Sequence, residues 1–152
     1  MNIKTCSSTI VFTLAFVLAL SLIPQRAFPE GAHNMKINIT VSGKTLTATV
    51  MDNSTAKDFV SLLPLTMSME DLFKREKFGH LQKALSEKGP RKNTYEVGDI
   101  AYWSPARDLA IYYHQDGESI PAPGIIPIAR INGGMEAFNV PGSVKVSIAA
   151  AK

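Results

Sequence analysis

Residues 35 to 51 read MKINITVSGKTLTATVM, and their apolar positions recur at every second residue. Ile37, Ile39 and Val41 point one way, while Lys36, Asn38 and Thr40 point the other. After Ser42-Gly43 the alternation resumes, with Leu46, Ala48 and Val50 set against Thr45, Thr47 and Thr49. A period of two belongs to a strand. Two such runs joined by a short glycine turn form a hairpin with one face that must be buried.

The same grammar runs through the rest of the chain. Leu65, Met67 and Met69 alternate with Thr66, Ser68 and Glu70. Ile100 to Trp103 and Leu109 to His114 flank the turn-like Ser104-Pro105-Ala106-Arg107, which predicts a second, aromatic-rich hairpin. Ile126, Ile128 and Arg130 alternate with Pro127, Ala129 and Ile131, and Val144, Val146 and Ile148 make a last strand. A short helix is predicted after Asp52-Asn53-Ser54, because Ala56, Phe59, Val60 and Leu63 lie at helical spacing and Pro64 ends it. Met135 to Phe138 suggests a single helical turn. Residues 71 to 97 are polar, with apolar anchors at Phe73, Phe78, Leu81 and Leu85. They are read as a short strand near 78 to 84 and a long loop, with Lys74-Arg75-Glu76-Lys77 as a solvated face. Seven or eight short strands with one or two short helices predict a mainly β fold, a sandwich or a closed barrel. At 152 residues and 45% hydrophobic content, the chain has material for one core.

The first segment is read separately. Lys4 precedes the uncharged run Ile10 to Ile23, which is shorter than the roughly 20 residues of a membrane span. It predicts a secretory signal peptide with a short linker over residues 1–32, ahead of a domain over 35–149. The cut is ambiguous between Ala27 and Ala32, and contact with a membrane is expected only through this segment if it stays attached. The expectation is an exported protein, periplasmic or secreted. Cys6 is the chain's one cysteine and precedes the run, so the mature domain has no thiol and no disulfide. Asn38-Ile39-Thr40 and Asn53-Ser54-Thr55 match the glycosylation pattern, and chance accounts for both.

Four blocks carry a family resemblance. They are MKINITVSGKTLTATVMDNSTAKDFVSLLPLTMSMEDL from Met35 to Leu72, GDIAYWSPARDLAIYY from Gly98 to Tyr113, IARI ending at Ile131, and VPGSVKVSI from Val140 to Ile148. Together and in this order they resemble the small bacterial cyclophilin-like domain family. The resemblance implies a closed eight-stranded barrel with one or two short capping helices. It implies no catalytic residues. The Phe-His-Arg segment and the Phe-Met-x-Gln-Gly-Gly-Asp run of prolyl-isomerising cyclophilins are both absent.

Other chemistries find little footing. The net charge of +3, from 16 basic and 13 acidic residues, is dispersed, which argues against nucleic acid as a partner. His33, His80 and His114 form no close-spaced ligand pair, and no Gly-x-Ser-x-Gly or phosphate-loop motif occurs. No metal and no cofactor is expected. On the aromatic hairpin, Ile100, Tyr102, Leu109, Ile111 and Tyr113 share one face, read as barrel interior. Trp103, Tyr112 and His114 share the other, which serves either as packing under the 71–97 loop or as an exposed binding patch. The alternation turns Arg130 inward, where it needs an acidic partner such as Asp99, Asp108 or Glu70, either for structure or to orient a ligand. Met67 is core or ligand surface. Trp103, Tyr112, His114, Arg130, Met67 and Phe78 are the candidate ligand-binding residues. The expected function is a binding module for a small molecule or a proline-containing peptide. The alternative is a divergent peptidyl-prolyl cis-trans isomerase.

Overall fold

The computed structural model describes residues 35–152, so the signal-peptide reading lies outside the described residues. Eight strands form in chain order: β1 (Lys36–Val41), β2 (Lys44–Val50), β3 (Leu65–Leu72), β4 (Glu76–His80), β5 (Asp99–Trp103), β6 (Asp108–Tyr112), β7 (Ile126–Ile131) and β8 (Val144–Ala150). They close into an antiparallel barrel in the order β1-β2-β7-β5-β6-β4-β3-β8. The first hairpin pairs as its alternation requires, with Ile39 opposite Leu46 and Ile37 opposite Ala48. Ile37, Ile39, Val41 and Ala48 are all buried in the lumen.

The two ends are sealed by short elements. Helix α1 (Ser54–Val60) follows β2 and sends Ala56 and Phe59 into the core. Asn53 caps it, its side-chain oxygen accepting from the Ala56 amide at 2.9 Å. The same side chain donates to the Pro127 carbonyl at 2.9 Å, so this Asn amide is committed to the fold. The helix stops at Val60, short of Pro64. At the opposite end a 3-10 turn, Met135–Phe138, buries Ala137 and Phe138. Gly98 opens β5 with φ of +99°, and a Cβ there would sit 2.9 Å from the Ile131 carbonyl oxygen, so only glycine fits.

Two expectations fail. Residues 74 to 77 are not a solvated face. Phe73 and Lys74 form a tight turn with left-handed φ of 56° and 54°, closed by the Arg75 amide donating to the Leu72 carbonyl at 3.1 Å. β4 therefore starts at Glu76 and not near Phe78, and Arg75, Glu76 and Lys77 are all buried. Lys77 enters the lumen, where its ammonium meets the Val140 carbonyl at 2.5 Å, the Gly142 carbonyl at 2.8 Å and Asp71 at 2.8 Å. Three acceptors match its three N–H donors.

Arg130 does not point inward. Ala101 pairs with Pro127 while Ile100 pairs with Ala129, so Ile128 is an extra residue in β7. This bulge resets the alternation. Ile126 and Ile128 face the core, then Ala129 and Ile131 do, and Arg130 is turned outward. It lies opposite Asp99, donating to Oδ1 from Nη2 at 2.7 Å and from Nε at 3.0 Å. Lys92 and the Glu96 amide hold the other Asp99 oxygen, at 2.8 and 3.0 Å. Asp99, one of the acidic partners expected for this arginine, is fully buried.

Two consequences of this packing are measurable. Phe59→Ala empties the α1 end of the barrel and is expected to cost about 3–5 kcal/mol of unfolding free energy in urea. Burial opposes the Asp99 carboxylate, but Lys92, the Glu96 amide and Arg130 overrule it and lower its pKa. The stabilisation is therefore present above the unfolded-state value of about 3.9 and disappears as pH falls through the folded value. Acid titration of stability should show this loss in the wild type. Asp99→Asn should flatten it, at a cost near neutral pH of about 2 kcal/mol.

Candidate functional site

The outer face of β4, β6 and β5 carries the site. Pairing sets its outward side chains in three rows. Glu76 lies opposite Tyr112, Phe78 opposite Ala110, and His80 opposite Asp108. Ala101 continues the second row and Trp103 the third. Two alanines in the middle row leave a depression between larger neighbours. Two long connections cross this face, and they join where Lys92 pairs with Ile125. The 81–98 connection lays Tyr95 on Tyr112, with ring centres 4.4 Å apart and planes at 21°. The 113–125 connection adds Ile120 and Ile125 to the same apolar cluster, distinct from the barrel core.

The cover is incomplete. A groove of about 230 Å³ remains, with Phe78, Trp103, Tyr112 and Ala110 along its base and sides. Ile120 and Pro121 form one wall, and Leu72, Phe73 and Arg75 stand at the hairpin end. Phe73 is 72% exposed at this rim, in the left-handed turn noted above.

Charge is organised by position. At the hairpin end Arg75, 6% exposed, lies over the rings of Phe73, Tyr95 and Tyr112, with its guanidinium carbon 5.3, 5.4 and 6.0 Å from the ring centres. Its Nε donates to Glu76 at 3.1 Å and its Nη1 to Asp116 at 3.3 Å. Tyr95 donates its hydroxyl to Asp116 at 2.6 Å, which ties the 113–125 connection to the groove floor. Burial raises the Glu76 pKa, against the pull of Arg75 and a hydrogen bond from Tyr112. Burial also raises Tyr112, with the Glu76 carboxylate adding to the shift, so the phenol keeps its proton. At the opposite end of the groove stands Asp108. Burial raises its pKa, and its ion-pair partner is the imidazole Nδ1 of His80.

Of the six residues proposed from sequence, the structure brings Phe78, Trp103 and Tyr112 into one groove. Tyr112 is buried in its floor rather than displayed as part of an exposed patch, because Tyr95 covers it. His114 follows β6 as an exposed residue and does not line the groove. Arg130 lies on β7 with Asp99, outside the lining. Met67 packs against the barrel core. Sequence reasoning missed Arg75, Glu76 and Asp108. The signal for Asp108 was its place on the Tyr112 face of the alternating strand. Arg75 and Glu76 had none, since mixed charges in a polar stretch look the same whether covered or solvated. Among the described residues no group of three or more His, Cys, Asp or Glu gathers as a metal site.

Known structures share this barrel. AF2241, a hypothetical protein from Archaeoglobus fulgidus with a solution structure, superposes with a TM-score of 0.66 at 21% identity. The match covers 82% of this chain and all of AF2241. McbB, solved in complex with tryptophan, matches with a TM-score of 0.55 at 13% identity, over 74% of this chain and 44% of McbB. Both likenesses concern the fold. No curated protein sequence matches the chain. The family model described as the cyclophilin-like family matches residues 39–149, which is most of the described barrel and the groove on its outer face. The chain belongs to the cyclophilin-like family.

Proposed function

We propose that this domain is an exported binding module whose outer-face groove takes a small ligand, or one small apolar group of a peptide such as a prolyl ring. The observation that carries this reading is the groove itself, an apolar recess left open where two long connections otherwise cover the aromatic face. Ligand sites are typically concave and mostly apolar, with a few fixed polar groups. Here the polar groups are Arg75, Glu76 and Asp108. A cavity of about 150 Å³ can hold benzene, so this one suits a ring with a short tail. The tryptophan in the McbB complex is a ligand of that class. Export rests on the uncharged run from Ile10 to Ile23 after Lys4.

Trp103 is the chain's one tryptophan, so its emission reports on the groove alone. Titration with 2-phenylethanol, and separately with a tetrapeptide containing Ala-Pro, should give a saturable change. Phe78→Ser removes much of the apolar contact and should weaken binding about fivefold or more. If neither probe changes the emission of the folded protein, the groove is not a ligand site.

A divergent prolyl isomerase is the second reading, favoured by one feature: the Arg75 guanidinium in the wall of an apolar recess. An isomerase must accelerate an exchange that otherwise takes tens of seconds or longer. Acceleration that falls in Arg75→Lys and persists in Arg130→Ala would establish this activity. Its absence in the folded protein would leave the binding module.

A further inference from the structure

The two ends of the groove differ in how their charges are satisfied. At the hairpin end, Arg75 is committed to Glu76 and Asp116 at 3.1 and 3.3 Å, so the one cation in the lining is already matched by two carboxylates. At the far end, Asp108 is 8% exposed and lies between outward-facing Trp103 and His80 in the pairing of the sheet. Its partner there is the imidazole of His80, whose Nδ1 sits against the Asp108 Oδ1 and whose side chain is 72% exposed. Apart from that imidazole, this buried Oδ1 has no hydrogen-bond partner among the described residues. A desolvated carboxylate answered only by a solvent-exposed imidazole is under-compensated.

The rest of the lining agrees. Counted by formal charge, Arg75 is set against Glu76 and Asp108, and Asp116 adds a third carboxylate behind the guanidinium. An anionic ligand would meet a negative field and a guanidinium with no charge to spare. A cation would meet Asp108 at one end and the ring surfaces of Phe78 and Trp103 beside it. Aromatic faces attract cations, most strongly where water is excluded.

We propose that the groove selects small amines, with an aromatic or alkyl body on Phe78, Ala110 and Tyr112 and a protonated amino group against Asp108. This rests on the groove being a ligand site, as argued above. In it, Asp108 is the residue that determines specificity, and the apolar floor supplies affinity without regard to charge.

Three probes separate the two claims. 2-Phenylethylamine, 2-phenylethanol and 3-phenylpropanoate share a ring on a short tether and differ chiefly in the charge of the tail. Each is titrated into the full chain at neutral pH, with Trp103 emission as the readout. The amine should bind about fivefold or more tightly than the alcohol, and the carboxylate most weakly. Asp108→Asn should bring the amine down to the level of the alcohol while leaving the alcohol within about twofold. His80→Lys changes an exposed side chain and places a fixed cation against Asp108. It should also reduce the preference for the amine, and it decides the question if Asp108→Asn does not fold. Equal binding of amine and alcohol overturns the amine assignment, as does tighter binding of the carboxylate or a preference that survives the folded variants. Each of these outcomes leaves the groove standing as a ligand site. If no probe alters Trp103, the site and the amine assignment fall together.

Discussion

Closure of the sheet governs this molecule. β8 is hydrogen-bonded on one side to β1 and on the other to β3, so among the described residues the last strand completes a ring begun by the first. A closed sheet has no edge to protect, but it divides every strand into a lumen side and an outer side. The lumen is filled by the inward residues of all eight strands, with Phe59 and Phe138 entering from opposite ends. The groove lies on the outer surface instead.

The outer surface is also where this chain spends apolar side chains that the lumen does not need. Phe78, Ala101, Trp103, Ala110 and Tyr112 face outward on three neighbouring strands, and the 81–98 and 113–125 connections exist in part to cover them. Arg75 is central to that cover. It bridges Glu76 on the barrel to Asp116 on the connection, while Tyr95 links Tyr112 to the same carboxylate. Buried charges of this kind hold only when each has its partner. The groove is the portion of the aromatic face that this cover leaves open, with Arg75, Glu76 and Tyr112 in its lining.

Some local conflicts of the fold sit at the groove. Phe73 and Lys74 adopt left-handed backbone conformations that side chains disfavour. Glu76 and Asp108 keep carboxylates where burial raises their pKa. Away from the groove, comparable charges are well compensated. Asp99 has Lys92, Arg130 and a backbone amide, and Lys77 has Asp71 and two carbonyls. Left-handed residues recur in other turns, at Ser42 and Arg107, so the feature particular to the recess is the weakly compensated carboxylate of Asp108, which fits a surface shaped for a ligand rather than for stability alone.

By itself the sequence determined the strands and the side each residue faces, because the period of two is written into the chain. The Lys36–Val50 hairpin and the division of β5 and β6 into a Tyr102 face and a Trp103 face were both legible in that way. So was the barrel, through the resemblance of whole blocks. Only the tertiary structure decided the rest. The extra residue Ile128 turns Arg130 outward, and a bulge depends on the register of a neighbouring strand, which alternation within one strand does not record. The turn at Phe73-Lys74 carries no glycine signal, so the burial of Arg75, Glu76 and Lys77 emerges only when β4 is seated between β3 and β6. The groove has the same origin. Its residues come from stretches far apart in the chain, and the recess is set by how far the two connections extend across the outer face. That extent is a property of the packed chain, since no local period encodes it.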